Sequence, residues 1–264
     1  MIRPKKSLGQ NFLIDNNILN KLIKLAKIHN GNIVEIGPGT GNLTKKILEQ
    51  KPKNLILIEK DQTLTNNLKN DFKKYNNLKI FNEDILKFNL EKNIKINTTI
   101  IGNLPYNISS QILAKLIKFE KWLPKYKKLI LMFQKEVADK IVAKYNTSNY
   151  GRLSILAASR LKVTNAFTVS PNSFYPVPKV KSTVLVFEPI VNKNFKITNI
   201  LNLEKISHIF FSRKRKMINK AFTKLFSEPA EVAKNMNINL NLRPNELSEN
   251  DYFKITEIFE KQIK

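Results

Sequence analysis

Four consecutive residues, Asn103-Leu104-Pro105-Tyr106, carry the groups needed to hold a weakly nucleophilic amine. The lone pair of an exocyclic adenine amine is delocalised into its ring. Accepting hydrogen bonds from both of its N–H groups favours a pyramidal, more reactive nitrogen. The Asn103 side chain offers one carbonyl acceptor and the Leu104 backbone a second, while Pro105 stiffens the turn between them. Tyr106 adds a ring for a base to stack on, a contact worth about 1–3 kcal/mol. Taken alone, the same four residues also fit a strand-ending turn, where Asn and Pro are common.

A second group lies upstream. Glu35-Ile36-Gly37-Pro38-Gly39-Thr40-Gly41 stands between an apolar run and a helical pattern. Glycines there let the backbone turn sharply and approach a ligand closely. Glu59 ends the next apolar run, at the interval where a ribose-binding acid belongs. The pair marks a nucleoside-type ligand, and an NAD site would look similar. Two details argue against NAD: the glycines are spaced more tightly than G-x-G-x-x-G, and Pro38 sits inside the turn. Asp84 ends a third apolar run. In an open parallel sheet, ligands bind at the carboxyl ends of the strands, so Gly37, Glu59 and Asp84 are expected to converge on one crevice. The competing reading is a turn glycine and two exposed strand-end acids.

A third group is basic. Ser212-Arg213-Lys214-Arg215-Lys216 is expected to open a helix continuing through Met217 to Phe222. On such a helix Lys216 and Lys220 are i,i+4 neighbours, with Arg213 one turn before. Like charges at that spacing oppose one another unless an anion sits between them. Phosphate backbone suits that place, and forked guanidinium groups suit phosphate. The alternative is a solvated, lysine-rich face. Phe210, Phe211 and Phe222 read as core.

These groups need a scaffold. Buried-strand signals fall at 32–36, 55–58, 78–81, 98–101 and 128–133. They alternate with helical patterns at 18–26, 42–50, 61–74, 110–119 and 135–144. That alternation implies an α/β fold with a mostly parallel, doubly wound, Rossmann-like sheet. Residues 161–169 and 183–187 read as further strands. The proline-rich stretch Pro171–Pro178 between them reads as a rigid extended loop without helix. After Pro189 the pattern is helical, over 200–225 and 251–262. A boundary near 190 is expected, separating residues 1–190 from a small all-helical domain, 191–264.

Composition narrows the class. The chain has 264 residues, 42% hydrophobic and 25% charged, enough for a sizeable core and unlike a disordered chain. It has no apolar run of about 18 residues and no apolar segment near Met1, so neither a membrane helix nor a secretory signal is expected. The absence of cysteine excludes disulfides, thiolate catalysis and thiolate zinc sites. His29 and His208 are the only histidines and lack metal-ligand spacing. A cytoplasmic, metal-free protein is expected. The formal charge of +25 attracts polyanions, nucleic acid first. Heavy use of Lys, Asn and Ile also matches codon bias in an A/T-rich genome, so charge alone names no partner.

Three motifs bring these readings together. They are Lys5-Lys6-Ser7-Leu8-Gly9-Gln10-Asn11-Phe12-Leu13, Gly102-Asn103-Leu104-Pro105-Tyr106-Asn107-Ile108-Ser109 and Phe174-Tyr175-Pro176-Val177-Pro178-Lys179-Val180. With them the chain resembles, nearly end to end, the small-subunit ribosomal RNA adenine N6,N6-dimethyltransferases of the KsgA type. The resemblance implies a methyltransferase sheet, S-adenosylmethionine as cofactor and no metal. It implies that Asn11 and Leu13 close over the cofactor and that Gly37 lies against its methionine end. Glu59 would take the ribose hydroxyls and Asp84 the cofactor's adenine amine. Asn103 would bridge cofactor and target base, and Tyr106 and Phe174 would sandwich an extruded adenine. Separately, from their charge and spacing, Arg213, Arg215, Lys216 and Lys220 are expected to contact RNA. The implied substrate is two neighbouring adenosines near the 3′ end of small-subunit (16S) RNA, within a pre-ribosomal particle, and the enzyme is expected to be monomeric. The chain departs from the family at Lys181, where an acid is common. Two alternatives stand beside this reading. One is a large-subunit ribosomal RNA adenine methyltransferase of the antibiotic-resistance type. The other is a non-catalytic RNA-binding assembly or transcription factor on the same fold.

Overall fold

The structure, a computed structural model, describes residues 4–5, 8–191 and 194–263. Lys6 and Ser7 of the opening motif lie outside the described residues. In chain order the first elements are β1 (Phe12–Leu13), α1 (Asn16–Ala26), β2 (Asn32–Ile36), α2 (Asn42–Glu49), β3 (Asn54–Glu59) and α3 (Gln62–Asp71). Then come β4 (Leu78–Asn82), α4 (Leu90–Asn93), β5 (Thr98–Asn103), α5 (Ser109–Ile117), β6 (Tyr126–Gln134) and α6 (Lys135–Val142). They are followed by α7 (Arg152–Arg160), β7 (Leu161–Val169), β8 (Phe174–Tyr175) and β9 (Ser182–Pro189). The last are α8 (Ile200–Phe211), α9 (Asn219–Leu225), α10 (Pro229–Met236) and α11 (Glu249–Gln262).

The chain forms two compact units. Residues 1–138 and 163–189 make the first, and residues 139–162 and 190–264 the second. In the first, a seven-stranded sheet has the order β4-β3-β2-β5-β6-β9-β7. The five strands from β4 to β6 run parallel, and β9 runs antiparallel to β6. The central strands read as unbroken apolar runs because both faces are covered. Leu129, Ile130, Leu131, Met132 and Phe133 of β6 are all buried. Helix α1 buries Ile18, Leu19, Leu22 and Ala26, one stripe at helical spacing. Its N-terminus is capped by Asp15, whose carboxylate accepts from the Asn17 and Ile18 amides. Strand order turns outward in opposite directions from β2 and β5, so the crevice lies at their carboxyl ends. Strands β1 and β8 form a separate antiparallel pair, with Phe12 opposite Tyr175 and Leu13 opposite Phe174. Two residues are too few to show a strand period. Pro171–Ser173 forms a 3-10 turn with proline at its start, where the missing N–H costs nothing, so the loop is not wholly extended as expected.

The second unit is helical and corrects two expectations. The single boundary near 190 leaves out residues 139–162, which include α7 and pack with the C-terminal helices. Tyr150 meets the Phe211 ring edge-on at 6.2 Å, and Lys214 Nζ donates to the Ser148 and Tyr150 carbonyls. The expected helix over 200–225 is also broken. Residues 212–218 form a turn between α8 and α9. The Ile218 amide donates to the Leu242 carbonyl, far along the chain, instead of to a carbonyl one turn back. Lys216 and Lys220 are therefore not neighbours on one helix. Phe210 and Phe222 are buried as expected, in an aromatic cluster with Tyr252.

Candidate active site

The glycine loop begins where β2 ends. Gly37, Gly39 and Gly41 have φ of 68°, 59° and 81°, the left-handed region. The need is sharpest at Gly39, where a Cβ would come within 2.8 Å of the Phe12 ring. Glu59, the last residue of β3, is 7% exposed. Its carboxylate accepts from the Gly39 amide at 3.1 Å and the Asp61 amide at 2.8 Å. Burial pushes its pKa up against those two bonds. Asp84 follows β4 and accepts from Lys60 Nζ and the Leu86 amide, each at 2.9 Å. The bond from Lys60 holds its carboxyl below the usual range. Beneath the loop, burial raises the Glu35 pKa to about 8, although the Thr44 hydroxyl donates to it at 2.6 Å.

Asn103 ends β5, beside Met132 of β6. Its Nδ2 donates to the Asn11 carbonyl at 2.8 Å. The Leu104 side chain is buried, and the Pro105 carbonyl accepts from the Ile108 amide, closing the turn at 3.2 Å. Tyr106 shares a hydrogen bond with the Ser182 hydroxyl at 2.7 Å, and burial pushes its phenol pKa up.

One cavity of about 220 Å³ is lined by Asn11, Leu13, Gly37, Glu59, Asp84, Asn103, Leu104 and Tyr106. Phe174 stands apart from them. Its ring is 1% exposed, in the core cluster with Leu13, Leu19 and Met132, and does not line the cavity. The structure thus places Phe174 in the core and does not bring its ring together with the other expected site residues. Lys181 is exposed and takes part through its backbone carbonyl, which accepts from the Lys135 amide. Sequence reasoning missed Gln10, Asn42, Asp61 and Ser182, whose bonds to the site span long stretches of chain. Asp61 carried a local signal as the N-cap of α3, and Gln10 lay within the opening motif with no role assigned to it.

In the second unit, Arg213, Arg215, Lys216 and Lys220 line one cavity of about 480 Å³. Lys224 and Arg243, which the sequence did not single out, line it too. Among the described residues, no three His, Asp or Glu side chains gather as a metal site, and no helix is long and apolar enough to cross a membrane.

Residues 1–261 match the family described as ribosomal RNA adenine dimethylase. The chain belongs to that family. This dimethylase is 47% identical over 262 residues to the ribosomal RNA small subunit methyltransferase A of Pelagibacter ubique strain HTCC1062, covering 98% of each chain. A solved dimethyladenosine transferase from Plasmodium falciparum superposes with a TM-score of 0.81 at 32% identity, covering 95% of this chain and 98% of that one. The 23S rRNA methyltransferase ErmE shares the fold, with a TM-score of 0.68 at 19% identity over 96% of this chain and 100% of that one. The dimethylase is thus a methyltransferase acting on adenines of ribosomal RNA, with S-adenosylmethionine as donor.

Proposed function

We propose that the chain dimethylates N6 of two adjacent adenosines near the 3′ end of small-subunit ribosomal RNA, as a cytoplasmic monomer acting on a pre-ribosomal particle. The observation that carries this reading is the shared cavity, in which the Asn103–Tyr106 loop faces Glu59 and Asp84. The donor set suits a nucleoside. A carboxylate has about four lone-pair sites. Glu59 accepts from two backbone amides and Asp84 from one amide and one ammonium, which leaves acceptor sites for a ribose diol and an adenine amine. Gly37 would lie against the methionine end of such a ligand; its φ of 68° favours glycine, and a Cβ there would stand at contact distance, 3.8 Å, from the Asn103 carbonyl oxygen. Asn11 and Leu13 cover it from the N-terminal side.

S-adenosylmethionine supplies a methyl group on a sulfonium, an already activated leaving group. Asn103 Oδ1 and the Leu104 carbonyl accept from the two N6 hydrogens and aim the nitrogen for in-line attack. Tyr106 supplies the stacking face. No general base is needed, because the N6 proton becomes acidic only as the methyl arrives. Arg213, Arg215, Lys216 and Lys220 hold phosphates of the RNA from the second unit. The test is methylation of hypomethylated small-subunit particles beside large-subunit RNA, read by mass spectrometry of nuclease fragments. Two methyl groups on each of two neighbouring small-subunit adenosines are expected. Methylation of large-subunit RNA alone would replace this reading with the large-subunit one.

A further inference from the structure

We propose that the N-terminal segment Leu8–Leu13 orients the Asn103 amide and that Gln10 is the positioning residue holding this segment in place. The proposal rests on the role given to Asn103 above.

A carboxamide has a donor end and an acceptor end, and only the acceptor end suits an amine that must give up its hydrogen bonds. The Asn11 carbonyl takes the donor end of Asn103 at 2.8 Å, across 92 residues of chain. That bond leaves Oδ1 as the end presented to the reacting nitrogen. Flipping the amide would break the bond and set two acceptors, Oδ1 and the Asn11 carbonyl oxygen, against each other, so the orientation lasts only while the Asn11 carbonyl stays in place.

The segment is held at several points. Gly9, at φ 63°, lies so close to the catalytic loop that a Cβ would stand 3.0 Å from Asn107 Oδ1. Gln10 Oε1 accepts from the Lys5 amide at 2.7 Å, and Gln10 Nε2 donates to Asp61 Oδ2 at 3.2 Å. Lys5 Nζ pairs with the same oxygen at 2.9 Å. Asp61 is itself fixed, because its other oxygen accepts from the Thr63 amide at the start of α3. At the far end, Asn42 Nδ2 donates to the Leu13 carbonyl at 2.8 Å. The Asn11 carbonyl thus sits between two anchors, Gln10–Asp61 on one side and Leu13–Asn42 on the other.

A double-mutant cycle separates orientation from mere support. Single-turnover methyl transfer to small-subunit particles is measured at saturating S-adenosylmethionine for the unmodified protein, Gln10→Ala, Asn103→Ala and the double variant. Calorimetric cofactor affinity and thermal melting are measured on each. Gln10→Ala is expected to slow transfer about tenfold, the scale of one lost hydrogen bond. In the Asn103→Ala background it should slow transfer no further. Asn42→Ala, which loosens the other anchor while leaving Gln10 intact, should show the same non-additivity and covers the case in which Gln10→Ala folds poorly. Equal slowing with and without Asn103, or weaker cofactor binding at an unchanged rate, would overturn the proposal. Full-rate transfer by Asn103→Ala alone would instead sink the role assigned to Asn103.

Discussion

In the reading proposed above, Asn103 divides its two ends between the fold and the reaction, with Nδ2 on the Asn11 carbonyl and Oδ1 left as an acceptor. Its value would then lie mostly in the transition state, where pyramidal N6 needs that acceptor. Asn103→Ala is therefore expected to lower single-turnover methyl transfer by about 10²–10³, the usual effect of losing one preorganised hydrogen bond. Apparent affinity for the particle should change little, since Tyr106 keeps its stacking face. In the same reading Glu59 would act before chemistry. Glu59→Ala should weaken S-adenosylmethionine binding by about 1.5–3 kcal/mol, the range for hydrogen bonds to a charged group. The loss would be read by calorimetric titration, and unchanged affinity would remove Glu59 from the site.

At the scale of elements, the β2–α2 loop and the turn between α8 and α9 carry the two proposed surfaces. Gly39 is held at φ 59° under the Phe12 ring. Gly39→Ala places a Cβ against that ring and costs about 1–2 kcal/mol for the left-handed backbone alone. A lower melting temperature and weaker cofactor binding are expected together, because the loop and the segment bearing Phe12 must move apart. The α8–α9 turn presents its cations without a regular helix beneath them. Replacing Arg213, Arg215 and Lys216 with alanine should weaken RNA binding about equally across sequences. If each neutralises one phosphate, the log–log salt slope should fall by roughly 0.7–0.9 per residue. Binding across a salt series with an unaltered slope would favour a solvated face.

For the molecule as a whole, one buried acid ties stability to pH. Burial pushes the folded pKa of Glu35 up to about 8 from the ordinary carboxylate value of 4.5. The folded state therefore binds this proton more tightly than the unfolded state. The contribution is complete below pH 4.5 and is lost as pH rises toward about 8. Glu35→Gln keeps a neutral partner for the Thr44 hydroxyl and removes the titration. Melting temperatures followed from pH 5 to pH 8.5 should fall for the unmodified protein relative to the variant. Parallel curves would show that Glu35 does not titrate there. The net charge of +25 acts at the same scale, drawing RNA toward the protein in a salt-dependent way without selecting a sequence.

What the sequence determined by itself is local. Apolar runs of strand length, helical spacing and the glycine loop depend on residues a few positions apart, so the alternation from β2 to α6 and the strand-end acids Glu59 and Asp84 were legible. The turn formed by the Asn103–Tyr106 tetrad was legible for the same reason, because it is made of four adjacent residues. The tertiary structure alone decided the contacts between distant segments. It set the Asn11 carbonyl against Asn103, buried Phe174 beside Leu13 of β1, and joined residues 139–162 to the C-terminal helices. It also broke the helix expected through Lys216, where the Ile218 amide found the Leu242 carbonyl. In each case a backbone or side-chain group satisfied its bonding with a partner many residues away, and no periodicity along the chain records which partner that is.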